Sequence, residues 1–385
     1  MSTPAIRHPG EFRWETRLLA VTTLILTALG IASCYASGTY LADWFREASQ
    51  QAVAAVVGGV IFLIAANTDY HFWRKTALPL FLTTFAGLVL LAMVSVVWRG
   101  QRASGALASI FPVLNGAHRW IDIGIKVQVS EVARFTLAAW LSAYAASLGS
   151  KVRSLGEGFL PLMTIVAAVA VLVDLEPSLS MAITLTVIGL TVIFTAGAKI
   201  PHLVLALAVA VMAVGLVLKY SPMHARRQQG FSESNDQCLE TDQPCESLIG
   251  LGAGGVLGVG FGRGTQKFGH LPEAYSDYLL SVIGEEWGFA GVAFVALCFV
   301  TFVWMGFRIA RTAPDPFGTY FASGLTVAVA ITAFMHAAVV TRLMPSTGLT
   351  LPFMSVGRVS LILYMLSAGV LVSIGRQRGR PARQS

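Results

Sequence analysis

The sequence predicts an all-α, polytopic integral membrane protein with about ten transmembrane helices and one large extracytoplasmic loop. Hydrophobic residues make up 55% of the 385 residues and charged residues only 12%. About a quarter of the residues of a soluble domain are charged, so the charged share of this chain is about half the usual one. Nearly uncharged runs recur along the chain, close to the roughly 20 residues that cross a bilayer. Basic residues flank these runs on alternate sides.

Ten of these runs are interpreted as membrane spans. An even number of spans places both termini on the same side of the membrane. The chain is treated as a single membrane domain, residues 1–385, whose longest segment between spans is the loop 221–286. In chain order the predicted spans are Leu18–Tyr35, Gln51–Asn67, Ala77–Trp98, Val132–Leu148, Phe159–Leu175, Pro177–Ala198, Pro201–Tyr220, Trp287–Phe307, Phe317–Val340 and Leu351–Ile374.

The distribution of basic residues predicts the orientation, because loops rich in Lys and Arg stay in the cytoplasm. The short loops Ser37–Gln50 and Thr341–Thr350 carry one basic residue each. Both termini are therefore predicted to be cytoplasmic and the loop 221–286 to face outward. The net charge of +7 reflects this bias, and no aromatic-interleaved basic patch indicates a nucleic-acid partner. The opposite loops and the tail hold Arg7, Arg13, Arg17, Arg74, Lys75, Lys151, Arg153, Lys199, Arg308, Arg311, Arg376, Arg378, Arg380 and Arg383.

The four cysteines fall into two groups. Cys34 and Cys298 lie within predicted spans, where a thiol acts as a small apolar side chain. Ile31–Cys34 looks like a lipoprotein cleavage site, but small residues beside a cysteine are common in transmembrane helices, so we assign it to the first span. Cys238 and Cys245 lie in the outward loop. An oxidising compartment favours a disulfide between them, with two free thiols as the alternative.

Nucleotide and zinc chemistry have no support in the sequence. The run from Gly250 to Gly264 contains G-x-G-x-x-G, but a dinucleotide site needs that motif between a strand and a helix. Its glycines more simply let the backbone approach lipid or other backbone closely, in a membrane-contacting or re-entrant piece. No H-E-x-x-H or paired C-x-x-C motif predicts a zinc site. We expect no nucleotide cofactor.

An acidic segment stands out in this charge-poor chain. Leu271–Gly288 reads LPEAYSDYLLSVIGEEWG and holds Glu273, Asp277, Glu285 and Glu286. Acids between apolar spans are costly unless they face water, a headgroup or a substrate. If a helix begins directly after Asp277, this residue and Glu285 lie two turns apart near one face. Helix capping and catalysis both remain open on this argument.

A second charged pair opens the fourth span. Glu131 and Arg134 have the i, i+3 spacing of a helical ion pair and follow Ser130. The alternative is a simple helix N-terminus with a carboxylate in its first turn. We expect the pair to act together at the outward membrane face.

Six motifs in order resemble the SEDS family (shape, elongation, division and sporulation). They are Asn115–Ile121 (family pattern N-G-A-x-R-W-I), Gln128–Arg134 (Q-P-S-E-x-x-K), Glu176–Leu179 (E-P-D-L), the glycines of Gly252–Gly260, Leu271–Gly288 (LPE-x-H-T-D-F-x-x-x-V-I-G-E-E-x-G) and Gly348–Phe353 (G-L-T-L-P-F). The chain departs from the family at Val129 for Pro, Arg134 for Lys, Ser178 for Asp, His336 for Asn, and Val356 and Arg358 within S-Y-G-G-S-S.

The resemblance implies a peptidoglycan glycosyltransferase. Its substrate would be lipid II, a disaccharide-peptide on undecaprenyl diphosphate, which is polymerised with inversion at the reacting sugar. Asp277 stands at the position of the family's essential aspartate and would be the general base. A divalent cation (Mg or Mn) or basic side chains would neutralise the leaving diphosphate. Substrate-binding candidates are Arg119, Glu131, Arg134, Arg263, Lys267 and Glu273, and structural candidates are Glu176, Glu285, Glu286 and Ser355.

The same resemblance implies partners and a location. Leu271–Glu273 favours the division-type branch (FtsW) over the elongation-type branch (RodA). Either branch implies a class B penicillin-binding protein as transpeptidase, divisome or elongasome proteins, and the bacterial cytoplasmic membrane. The alternative is a transporter that flips lipid II, which would place polar residues near the bilayer midplane at broken helices. The acids here cluster at the outward ends of spans, which favours the enzyme.

Overall fold

The computed structural model describes residues 14–38, 44–98, 107–113, 117–122, 124–221, 243–266 and 274–377. These residues are mostly helical, so the all-α prediction is confirmed. A two-stranded antiparallel hairpin, β1 (Trp120–Asp122) and β2 (Lys126–Gln128), precedes α5. The helices are α1 (Trp14–Gly38), α2 (Trp44–Asn67), α3 (His71–Trp98), α4 (Leu107–Ile110), α5 (Val129–Leu148), α6 (Leu160–Leu175), α7 (Leu179–Thr195), α8 (Ile200–Tyr220), α9 (Gln243–Gly254), α10 (Leu279–Arg311), α11 (Pro316–Val340) and α12 (Arg358–Gln377).

Each of the ten predicted spans corresponds to one of these helices. Within the described residues, eight helices are long and apolar enough to cross a membrane. The other two predicted spans are α7, which has only 17 residues, and α5, whose first turns carry Glu131 and Arg134. The chain is thus a multi-pass membrane protein.

The position of α5 in the bundle explains why it is a less obvious span. α5 packs against α3, α6, α7, α11 and α12, and most of its residues are buried. A helix surrounded by protein can carry polar groups that a lipid-facing helix cannot. α8 shows the opposite case, since it packs on α7 and none of its residues is buried.

Two predicted spans differ from their helices beside irregular backbone. The eighth span was expected to begin at Trp287, but α10 begins at Leu279. The tenth was expected to begin at Leu351, but α12 begins at Arg358. Hydropathy extended the tenth span too far because residues 351–356, although mostly buried and apolar, form turns.

α10 is interrupted at Gly288, whose φ of 67° and ψ of −164° are not helical. In an unbroken helix the amides of Phe289 and Ala290 would bond to carbonyls four residues earlier. They donate instead to the carbonyls of Gly255, at 2.9 Å, and Val256, at 3.0 Å. The break is therefore bonded to another part of the chain.

The carbonyls left over at this break are also satisfied. We call Gly255–Gly264 the glycine segment. Its amides at Val259 and Gly260 donate to the carbonyls of Glu285 and Glu286, each at 3.0 Å. Non-helical backbone at membrane depth is tolerated only where other groups take up its hydrogen bonds. The expectation that these glycines allow backbone to approach backbone is confirmed.

The contact between α9 and α10 is just as close. A Cβ added at Gly254 would clash with the Gly284 carbonyl oxygen, whereas a Cβ at Gly252 would meet nothing within 4 Å. Glycine at 254 thus lets the end of α9 lie on the backbone of α10, directly before the break.

We predict that Gly254→Ala destabilises the protein and that Gly252→Ala, in the same helix, does not. The added methyl at 254 forces backbone apart, and such overpacking costs about 1–3 kcal/mol. At 252 the change should be neutral or stabilise by up to about 1 kcal/mol, since alanine is the better helix former. Thermal unfolding in detergent measures both, and equal midpoints for the two variants would contradict the close contact.

Candidate functional site

Asp277 lies in irregular backbone immediately before α10 and is half-buried. The amide of Val356 donates to the carbonyl of Tyr275 at 3.1 Å, which joins the acidic segment to the residues before α12. We call Thr347–Gly357 the strap. A Cβ built on Gly348 would stand 3.6 Å from Oδ2 of Asp277, so the carboxylate faces the strap.

Two helices anchor the strap on either side of Gly348. Ser180 Oγ, in the first turn of α7, donates to the Thr347 carbonyl at 3.3 Å. His336 Nδ1, near the end of α11, lies 2.9 Å from the Leu349 carbonyl. Gly348 has a φ of 70°, a conformation that favours glycine. The backbone facing Asp277 is therefore held from both sides.

The second half of the strap is anchored by itself and by α2. The Leu351 amide donates to Ser355 Oγ at 2.9 Å. Gln51 Nε2 donates to the Ser355 carbonyl at 3.0 Å, and its Oε1 accepts from the Gly357 amide at 3.4 Å. These contacts fit the structural role predicted for Ser355.

Arg119 holds the turn between α6 and α7. Its Nε donates to the Glu176 carbonyl at 3.0 Å, and Nη2 donates to the Pro177 carbonyl. Glu176 is fully buried, and among the described residues neither of its carboxyl oxygens has a hydrogen-bond partner. Burial raises the pKa of this carboxyl to about 9, against the opposing effect of the Arg119 guanidinium. Glu176 is therefore a neutral acid at pH 7.

Glu131 and Arg134 form the predicted pair, with 3.7 Å between Oε1 and Nη2, and both are buried. Ser360 Oγ donates to Glu131. Arg134 donates to the Tyr364 hydroxyl and to Thr332 Oγ1, the latter at 3.3 Å. The pair joins α5 to α11 and α12, and a small cavity between these three helices borders it.

Glu285 and Glu286 are buried on the glycine segment. Glu285 Oε1 accepts from the Thr265 amide at 2.5 Å and from Thr265 Oγ1 at 2.9 Å. The Gln266 amide adds a contact of 3.3 Å to Oε2. Glu285 therefore bonds to the two residues that follow the glycine segment, whereas the Asp277 carboxylate faces Gly348. The contacts of Glu285 fit the structural role predicted for it.

The remaining candidates are only partly described. Arg263 is exposed, and its aliphatic stem lies over Gly260. Cys245 is buried and disulfide-bonded. Its predicted partner lies outside the described residues, as do the two other loop candidates. Those three residues are Cys238, Lys267 and Glu273.

The strap brings the separate groups together at one end of the bundle. Ser180, which anchors its beginning, follows the Arg119–Glu176 turn by four residues. Ser360, which donates to Glu131, follows its last residue by three. Asp277 faces Gly348, the second residue of the strap. Chemically, this end offers a half-buried carboxylate that can accept a proton, and Arg119 lies at the turn that begins α7.

Sequence reasoning missed the residues that anchor these groups. The signal that could have found them is a polar side chain inside an apolar span, because such residues are costly in lipid and face protein partners. They are Gln51, Ser180, Thr332, Ser360 and Tyr364, all of them buried.

Comparison with known proteins finds similarity along nearly the whole chain. The FtsW, RodA and SpoVE family model, described as "Cell cycle protein", matches residues 16–380. A probable peptidoglycan glycosyltransferase FtsW of Geobacter sp. (strain M18) is 33% identical over 370 residues, covering 94% of this chain and 97% of the relative. Stage V sporulation protein E of Bacillus subtilis (strain 168) is 32% identical, with 93% and 96% covered.

Solved structures share the fold. A chain from a study of the structural coordination of polymerization and crosslinking by a peptidoglycan synthase complex matches with a TM-score of 0.74 at 22% identity. That match covers 96% of this chain and 99% of the other. The rod shape determining protein RodA of Thermus thermophilus matches with a TM-score of 0.67 at 21% identity, with 96% and 98% covered.

We predict that Glu131 and Arg134 depend on each other. Glu131→Gln or Arg134→Gln leaves a buried charge without its partner, which costs roughly 3–5 kcal/mol. The double variant should be little worse than either single variant. The control is Glu157→Gln in the exposed Lys151–Glu157 pair, where the separation is 3.9 Å and a loss below about 1 kcal/mol is expected. Thermal unfolding measures all four, and additive losses at 131 and 134 would show that the residues act separately.

We predict that Glu176 makes the stability of the protein fall as pH rises. Its folded pKa of about 9 lies above the model-compound value of 4.5. The folded state therefore binds more protons between these values and loses stability through that window. Glu176→Gln, which mimics the neutral acid, should match wild type near pH 5 and unfold at a higher temperature near pH 8. A variant that is less stable than wild type at both pH values would contradict burial of the neutral form.

Proposed function

The chain belongs to the FtsW, RodA and SpoVE family of cell cycle proteins, and on this premise we propose that it polymerises lipid II into peptidoglycan glycan strands. The chain is a peptidoglycan glycosyltransferase of cell-wall synthesis, because relatives with this name match it over nearly its whole length. The observation that supports the assignment in this chain is the placement of Asp277, half-buried and facing an anchored strap at one end of the bundle.

We propose that Asp277 is the general base. The oxygen of an acceptor sugar hydroxyl forms a bond to the anomeric carbon of the donor, and the hydroxyl proton passes to the Asp277 carboxylate. The bond from that carbon to the undecaprenyl diphosphate breaks, and the diphosphate leaves with the electron pair. Direct displacement inverts the anomeric centre, so no covalent enzyme intermediate is required. A positioned base typically contributes about a hundred- to ten-thousand-fold to such a step.

Cationic groups would receive the leaving diphosphate. Arg119 lies at the turn that begins α7, and Arg263 is exposed on the glycine segment. Both remain candidates, together with Lys267. Arg134 is buried and already donates to Tyr364 and Thr332. We propose that Arg134 and Glu131 support the site by fixing α5 to α12 and do not contact the diphosphate in this conformation.

A divalent cation, Mg or Mn, would fit this site only together with the substrate. Among the described residues, no three His, Cys, Asp or Glu side chains gather as metal ligands. Magnesium is commonly held by one or two carboxylates and the phosphates of a substrate, and Asp277 supplies one carboxylate. Such a cation would neutralise charge on the diphosphate.

We propose a class B penicillin-binding protein as the transpeptidase partner, with divisome proteins around the pair. A structural neighbour comes from a complex that coordinates polymerization and crosslinking, which supports a partner of this kind. A division role is favoured by Leu271–Glu273, with an elongation role of the same chemistry as the alternative. The proposed location is the bacterial cytoplasmic membrane with both termini in the cytoplasm, supported by the basic residues of alternate loops.

We predict that Asp277→Asn nearly abolishes polymerisation while leaving the fold intact. The amide keeps the size of the carboxylate but cannot take a proton, so the rate should fall about a hundred- to ten-thousand-fold. The control is Asp122→Asn in the hairpin. There Asp122 Oδ1 accepts from the Gly124 amide at 3.0 Å, a bond that asparagine also makes, so activity should be unchanged. Glu273→Gln should be milder than Asp277→Asn.

The measurement is glycan-chain formation from lipid II by purified protein, alone and with a cognate transpeptidase. A folded Asp277→Asn protein with wild-type polymerisation would remove the base assignment. A wild type that moves lipid II across vesicles without polymerising it would favour the flippase.

A further inference from the structure

We propose that His336 is a positioning residue for glycosyl transfer, acting on Asp277 through the strap. The inference rests on the proposed role of Asp277 and adds a residue whose side chain touches neither substrate nor base. His336 lies in α11, four residues before the helix ends. It is fully buried, away from the surface that a substrate would reach.

The hydrogen bonding of His336 is one-sided. Nδ1 lies 2.9 Å from the Leu349 carbonyl, and Nε2 has no hydrogen-bond partner among the described residues. A carbonyl oxygen can only accept, so Nδ1 carries the proton and Nε2 is the bare nitrogen of a neutral ring. A buried ring nitrogen without a partner is costly. The role of the buried imidazole is therefore the one hydrogen bond that it donates to the strap.

That bond fixes the backbone opposite Asp277. Leu349 follows Gly348, and the carbonyl on the other side, that of Thr347, accepts from Ser180. Gly348 is held between these two anchors. The Cα hydrogen that occupies the place of a side chain points toward the Asp277 carboxylate. Release of the Leu349 carbonyl would let the strap move relative to Asp277. A misplacement of about 1 Å at a catalytic group can cost about a hundredfold in rate.

The geometry of the bond allows a matched pair of variants. The amide nitrogen of asparagine occupies nearly the position of Nδ1 and can donate to the same carbonyl. The amide of glutamine reaches the position of Nε2 and cannot. His336→Asn should therefore keep the anchor, and His336→Gln should lose it although it is closer to histidine in length.

The experiment measures kcat and KM for lipid II polymerisation by the purified full chain in nanodiscs. We expect His336→Asn to keep kcat within about threefold of wild type. We expect His336→Gln to lower kcat by roughly ten- to a hundredfold, with KM within about twofold. A residue that matters only for folding would instead lower the amount of active protein and the thermal midpoint equally in both variants.

A second anchor keeps the test decisive if His336→Gln unfolds. Ser180→Ala removes the bond to Thr347 with little change in volume, and kcat should fall several-fold at unchanged KM. Equal activity of the Asn and Gln variants, a loss confined to KM, or a wild-type kcat for Ser180→Ala would overturn the positioning role. A wild type that forms no glycan would refute the proposed function itself, whereas active wild type with indifferent His336 variants refutes only this inference.

Discussion

The site depends on one constraint, that backbone hydrogen bonds interrupted near a membrane must be completed elsewhere. The break of α10 at Gly288 removes two helical bonds, and the glycine segment replaces them with four bonds of its own. This docking requires glycine where backbones touch, as at Gly254. It also brings in Glu285, whose carboxylate receives the amides of Thr265 and Gln266. The glycine segment is thereby held against α10, which begins two residues after Asp277.

The strap completes the same arrangement from the other side. It links the first turn of α7, the end of α11, α2 and the acidic segment through hydrogen bonds. The chain directly after it, at Ser360, bonds to Glu131 of α5. Five helices, α2, α5, α7, α11 and α12, thus meet around a short irregular segment. Hydrogen bonds thus fix the backbone that faces Asp277. Such an arrangement suits the proposed catalysis, because a general base contributes most when its position is fixed before the substrate arrives.

Much of this fold follows from the sequence, and the failures have physical causes. Long apolar runs locate the helices, since lipid demands about 20 apolar residues per span. Hydropathy could not find the beginning of α12, because the strap is buried and apolar although it is not helical. The motif resemblance placed Asp277 and Glu131 at the site, and the i, i+3 spacing gave the Arg134 pair. Spacing did not reveal that Glu285 bonds to Thr265 and Gln266. Partners such as Gln51 and Ser180 depend on contacts between distant residues that no local pattern encodes.

The proposed mechanism requires that lipid II reacts at Asp277, at the end of the bundle. The most direct measurement is an experimental structure of the Asp277→Asn chain in nanodiscs with lipid II bound. We expect sugar density against residue 277 and Gly348, with the acceptor hydroxyl within about 2.6–3.2 Å of the residue 277 side chain. The diphosphate should lie toward Arg119 or Arg263. A headgroup found instead in the cavity between α5, α11 and α12, with no sugar at residue 277, would contradict it.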